Sequence, residues 1–194
     1  MNGVLQLYEA TLAQRGYRSD PAQLRAIEAL ARCEREWADY KARRANAVTK
    51  LLVRPPIPRG VYMWGGVGRG KSFLMDCFFQ SVPLTRKTRL HFHEFMREVH
   101  RELQDLKGTV NPLEELGVRM ARRYRLICFD EFHVADVTDA MILHRLLQAM
   151  FDNRVSIVTT SNFQPDALYP NGLHRDRILP AIELLKSKLE VISV

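Results

Sequence analysis

The stretch Gly65-Gly66-Val67-Gly68-Arg69-Gly70-Lys71-Ser72 constrains this chain more than any other. It fits G-x-x-x-x-G-K-[ST] in full, and its context is the one that pattern requires. An apolar run, Val61–Trp64, precedes it, and Phe73, Leu74, Cys77 and Phe78 follow at helical spacing. Glycines let successive backbone N–H groups curl around a phosphate chain. Lys71 then reaches the β- and γ-phosphates, and the Ser72 hydroxyl is a ligand for Mg²⁺. The helix that opens here adds the positive end of its dipole to the anion site. A chance match to the four fixed positions is expected in roughly one chain in a hundred of this length. The bland reading, a glycine-rich turn, does not account for the strand before it and the helix after it.

The rest of the chain repeats the same alternation. Candidate strands are Val61–Trp64, Arg89–His93, Arg125–Phe129, Val155–Thr159 and Leu189–Ile192. Candidate helices are Lys71–Gln80, Glu94–Leu106, Pro112–Arg123, Asp139–Phe151 and Leu173–Lys188, with Pro180 breaking or bending the last. Strands alternating with helices imply an α/β fold with a parallel sheet covered on both faces. Ligands of such sheets bind beyond the carboxyl ends of the strands.

Residues 4–50 read as helical. Leu5, Tyr8 and Leu12 share a face, and Gly16 is a stop. Asp20-Pro21-Ala22-Gln23 is a helix start with a cap, a first-turn proline and a residue placed to close a capping box. Leu24, Ile27 and Leu30 continue the pattern to Trp37 and Tyr40. Pro55, Pro56 and Pro58 cannot lie inside a helix. They divide residues 1–58, a helical segment packing on the core, from residues 59–194, the core itself.

The 194 residues are 46% hydrophobic and 26% charged, which excludes a disordered or collagenous chain. No run approaches a membrane span, and no signal peptide is visible. Cys33, Cys77 and Cys128 are far apart and read as reduced thiols, so a cytoplasmic location is expected. The net charge of +7 permits an acidic partner without naming one.

Two carboxylates follow the third candidate strand. Asp130 at its tip is placed to hold Mg²⁺, and Glu131 to orient and deprotonate a water. Asp-Glu-Phe-His also looks like a helicase box, but the chain has no room for a second nucleotide lobe, so His133 is read as incidental. Thr159-Thr160-Ser161-Asn162 ends the next strand. Asn162 is the first choice for sensing the γ-phosphate, and Thr160 the second. Arg175 and Arg177 flank Asp176, where a guanidinium from a neighbouring subunit would stabilise the transition state. A solvated basic face is the alternative. Gln23 either contacts adenine or serves the capping box. His91 and His93, read on one strand face, lack further ligands at metal spacing and are taken as structural. The acid-free run Lys41, Arg43, Arg44, Lys50, Arg54, Arg59 and the cluster Arg119, Arg122, Arg123, Arg125 suit phosphates, solvent or other subunits.

The segments Gly60–Ser72, His91–Met96, Asp130–Phe132, Thr160–Asn162 and Leu173–Pro180 resemble those of the ZapE-type AAA+ ATPases, bacterial division proteins with mitochondrial homologues. The likeness covers essentially the whole chain. His-Phe-His-x-Phe-Met and Asn-Gly-Leu-x-Arg-x-Arg-x-Leu-Pro are its most family-specific parts. It implies a P-loop NTPase of the AAA+ type, with a five-stranded sheet in the order 5-1-4-3-2. It implies ATP and Mg²⁺ as ligands, ATP hydrolysis, a nucleotide-dependent homo-oligomer and a link to the FtsZ division ring. Lys71 and Ser72 match its Walker A positions, within a nucleotide site of Gly65 to Phe73. Asp130 and Glu131 match Walker B, Asn162 matches sensor 1, and Arg175 or Arg177 matches the arginine-finger region. The resemblance also implies a helical lid after the last strand, which lies outside these 194 residues. Two other functions compete: a DNA-associated ATPase resembling a helicase loader, and a nucleotide-gated interaction module with little turnover.

Overall fold

A computed structural model describes residues 3–16 and 18–194, apart from the side chain of Arg15. Helix α1 (Val4–Arg15) ends where Gly16 takes a left-handed conformation (φ 66°) and turns its amide back to Leu12 and Ala13. Its buried face carries Val4 and Tyr8, while Leu5 is exposed. Helix α2 (Pro21–Ala42) opens on Asp20, whose carboxylate accepts from the Ala22 amide at 2.7 Å. Ile27, Leu30, Cys33 and Trp37 form its buried stripe, and Leu24 lies outside it. A short helix, α3 (Ala47–Leu52), precedes the prolines.

Five strands then alternate with helices: β1 (Gly60–Trp64), α4 (Lys71–Ser81), β2 (Lys87–His91), α5 (Phe92–Asp105), α6 (Pro112–Arg123), β3 (Leu126–Asp130), α7 (Val137–Asp152), β4 (Ser156–Ser161), α8 (Leu179–Lys188) and β5 (Leu189–Ser193). The sheet is parallel throughout, in the order β2-β3-β4-β1-β5, which is the expected 5-1-4-3-2 read from the other edge. Two layers of helices cover it. Tyr8, Ile27, Leu30 and Trp37 of the N-terminal helices share one core with Leu74 and Phe78 of α4 and with Val61, Met63, Cys128 and Val158 of the sheet. The opposite face packs on α5 to α8 through Phe92, Phe95, Leu143 and Leu185.

Three expectations need correction. β2 begins two residues earlier than its apolar pattern indicates and ends at His91, so His93 lies in α5 and the two histidines do not share a strand face. Helix formation takes over because Glu94 reaches back to accept from the His91 amide at 3.4 Å, which caps α5. Pro180 opens α8 rather than breaking a longer helix, as its missing N–H is harmless in a first turn. Arg175–Arg177 form a separate 3-10 turn before it. Gln23, finally, does not complete a capping box. Its side chain is engaged by Tyr8 and the phosphate loop, as described below.

Candidate nucleotide site

The carboxyl ends of β1, β3 and β4 meet above the first turn of α4. In-register pairing sets Met63 beside Thr160 and Trp64 beside Ser161. The chain leaving β1 is tied to β4 through the Gly65 amide, which donates to the Ser161 carbonyl at 3.2 Å. It then turns through Gly68 (φ 78°) and Gly70 (φ 84°), conformations that side-chain-bearing residues rarely adopt. Gly70 caps α4. A Cβ there would also stand 2.7 Å from Gln23 Nε2, so the Gln23 side chain would have to shift.

Lys71 is buried, and its ammonium donates to the carbonyls of Gly65 and Gly66, each at 2.7 Å. Burial lowers its pKa, and the Glu131 carboxylate acts in the opposite direction. Residues 67–72 line a cleft of ≈ 330 Å³ together with Glu131, Thr160, Ser161 and Asn162. Arg69, Lys71, Ser72, Glu131 and Asn162, drawn from distant parts of the sequence, therefore face one space.

Glu131 owes its placement to the residues around it. Its backbone is left-handed (φ 55°), a strained state for a non-glycine residue. Thr160 holds it there: the Thr160 hydroxyl accepts from the Glu131 amide at 3.1 Å, and the Thr160 carbonyl accepts from the Phe132 amide at 2.7 Å. Phe132 is fully buried, with its ring centroid 4.1 Å from that of Phe92. The Glu131 side chain remains 72% exposed, free to meet a substrate, with His91 Nδ1 3.9 Å from its Oε2.

A second cleft, of ≈ 370 Å³, lies on the other side of Gly68 and Gly70, lined by Thr11, Leu12, Arg18, Gln23 and Phe73. Gln23 connects the N-terminal helices to the phosphate loop. Its amide donates to the Arg69 carbonyl at 3.1 Å, and its carbonyl oxygen accepts from the Tyr8 hydroxyl at 3.1 Å. The Tyr8 ring stacks on Phe73 at 5.6 Å between centroids.

Gly65 and Gly66 precede the loop residues that line these clefts, and Asp130, Arg175 and Arg177 stand apart from them. Asp130 is turned to Arg89, which donates to both its carboxylate oxygens, at 2.7 and 3.2 Å. Arg175 donates to the Asp166 carbonyl at 2.8 Å, and Arg177 lies 3.6 Å from Asp176. Arg89, His91, Tyr8 and the holding role of Thr160 went unseen in the sequence. Only the register of β2 against β3, which pairs His91 with Asp130, would have exposed the first two.

The side-chain oxygens lining the cleft are those of Ser72, Glu131, Thr160, Ser161 and Asn162, with the Asp130 carboxylate just outside it on Arg89. Among the described residues no group of three or more His, Cys, Asp or Glu could form a dedicated metal cage. That set suits Mg²⁺ carried in with a nucleotide, since this ion keeps its waters and phosphate oxygens and takes few protein ligands. Cys33, Cys77 and Cys128 are buried. No described helix is long and apolar enough to cross a membrane.

Fold and loop together are those of a P-loop nucleotide-binding domain. Domain III of the Thermotoga maritima replication initiation protein DnaA has the same fold, with a TM-score of 0.60, 17% identity, and coverage of 93% of this chain and 65% of that one. The family model of the AFG1-like ATPases matches residues 3–194. Cell division protein ZapE of Escherichia coli K12 is 54% identical over 136 residues, covering 70% of this chain and 36% of the relative. Lactation elevated protein 1 homolog B of Danio rerio is 40% identical over 152 residues, covering 73% and 30%. This chain belongs to the AFG1-like ATPase family. It spans about a third of the length of these curated relatives.

Proposed function

We propose that this chain is the ATP-binding and ATP-hydrolysing core of a Mg²⁺-dependent cytoplasmic ATPase. It would act in cell division as a nucleotide-dependent homo-oligomer that remodels a protein partner such as the FtsZ ring. The observation that supports the enzymatic part is the single cleft that Lys71 and Glu131 line together. The name and identity of the E. coli relative support the role in division.

In this reading the triphosphate lies along residues 65–72, held by backbone N–H groups and the helix dipole. Lys71 supplies a fixed positive charge to the β- and γ-phosphates. The base occupies the second cleft, against Phe73 and the Gln23 amide. Ser72 and Asp130 would hold Mg²⁺, which supplies charge neutralisation across the β- and γ-oxygens. Glu131 orients a water and accepts its proton as the new bond to the γ-phosphorus forms. The bond from the γ-phosphorus to the β-bridging oxygen breaks, and ADP and phosphate leave. Asn162 contributes an amide dipole to the same γ-phosphate. Arg177, 66% exposed and beside only Asp176 among its described ion pairs, suits a finger directed at a neighbouring subunit, with Arg175 as the other candidate.

Lys71→Met tests the core of this reading. Titration with a fluorescent ATP analogue should show affinity weakened by about thirtyfold or more, the cost of leaving charged phosphates without their buried partner. Unchanged affinity would mean that the nucleotide does not bind in this loop.

A further inference from the structure

Arg89 bridges two carboxylates, Asp130 and Asp76, and neither the phosphate loop nor Glu131 explains that arrangement. It lies on β2, paired in register with Cys128 of β3, two residues before the pair His91 and Asp130. Side chains alternate along a strand, so Cys128 and Asp130 share one face of the sheet and Phe129 takes the other. Cys128 is buried in the core that contains α4, and Phe129 in the opposite one. Arg89 and Asp130 therefore emerge on the α4 side, where Ser72 lies in the first turn of the helix. Asp76 is four residues beyond Ser72, hence on the same stripe of α4 one turn down.

The guanidinium joins these elements. Nε donates to Asp130 Oδ2 at 2.7 Å and Nη2 to Oδ1 at 3.2 Å, while Nη1 is bonded to Asp76 Oδ1. The Arg89 side chain is 20% exposed and that of Asp130 13%, whereas Asp76 is half exposed. Such a two-point fork fixes the plane of a carboxylate, which a lysine ammonium cannot do. It uses two of about four acceptor positions on the carboxylate, leaving the others for a further partner. A largely buried ion pair contributes little net stability after its desolvation cost, so stability alone is a weak reason for it.

We propose that Arg89 is a positioning residue: anchored to α4 through Asp76, it fixes the direction of the Asp130 carboxylate so that its remaining lone pairs and the Ser72 hydroxyl meet the nucleotide's Mg²⁺. This inference rests on the nucleotide-site reading above and adds an outer contact to it. The alternative is a strut that merely ties β2, β3 and α4 together.

The experiment measures affinity for a fluorescent, non-hydrolysable ATP analogue, once in EDTA and once in saturating Mg²⁺, on the full chain. The ratio of the two affinities is the gain due to Mg²⁺. Arg89→Met should leave the EDTA affinity near that of the parent and reduce the Mg²⁺ gain about tenfold or more, as loss of an outer contact to a metal ligand does. Arg89→Lys keeps the charge but not the fork and should recover only part of the gain. Asp76→Asn, at an exposed position that leaves the fold intact, should lower the gain by a smaller factor, and it keeps the test valid if Arg89→Met fails to fold. A full Mg²⁺ gain in Arg89→Met, or in Asp76→Asn where Arg89→Met is unfolded, overturns the proposal and leaves the strut. Absence of nucleotide binding in the parent chain overturns the underlying reading instead.

Discussion

Glu131 illustrates how much of a site is decided one residue away from the reacting group. Its side chain is exposed, yet its backbone is held in a left-handed conformation by Thr160 on the neighbouring strand. Thr160→Val keeps the shape and removes the acceptor for the Glu131 amide. We expect nucleotide affinity within about twofold of the parent and turnover lower by roughly ten- to hundredfold, the cost of a misplaced catalytic group. Steady-state hydrolysis and equilibrium binding, measured together, check this, and unchanged turnover would remove Thr160 from the account. The types of residue at this site were legible because a phosphate loop and a strand-end Asp-Glu are local in sequence. The holding contacts were not. Thr160 and Glu131 are 29 residues apart, and only the pairing of β3 with β4 brings them together.

At the level of elements, the N-terminal helices are tied to the phosphate loop and so to the proposed nucleotide site. α1 and α2 bury Tyr8, Ile27, Leu30 and Trp37 against α4 and the sheet, and the Tyr8–Gln23 pair extends that packing to the phosphate loop. Trp37 is fully buried. Trp37→Ala should therefore cost about 3–5 kcal/mol of stability in denaturant unfolding. A loss below about 1 kcal/mol, the scale of a surface change, would show that α2 does not pack on this core. Helices with strong boundary signals were readable in advance: Pro112–Arg123 carries a first-turn proline, two early acids and two late arginines, and it forms as expected. β2 was misplaced because Lys87 and Thr88 are not apolar. Its strand state comes from pairing with Leu126 and Ile127, a tertiary cause that periodicity does not carry.

For the whole molecule, the order of the sheet explains why the functional groups converge. β1 and β3 both flank β4, so a loop after β1, an acidic pair after β3 and a polar tip on β4 must meet at one end. The alternation of strands and helices predicted a parallel sheet, and the family resemblance supplied its order. Neither bears on the proposed reach of Arg175 or Arg177 to a neighbouring copy, because a contact between subunits would leave no periodic trace in one chain. The central claim, a catalytic ATPase whose site is completed by a neighbouring copy, is tested most directly by ATP hydrolysis measured against protein concentration, with Glu131→Gln as the paired control. The account predicts specific activity that rises with concentration, and a Glu131→Gln variant that binds ATP yet hydrolyses it at least about a hundredfold more slowly. Activity that is absent, or equal in the two proteins at every concentration, would contradict it and leave a nucleotide-binding module.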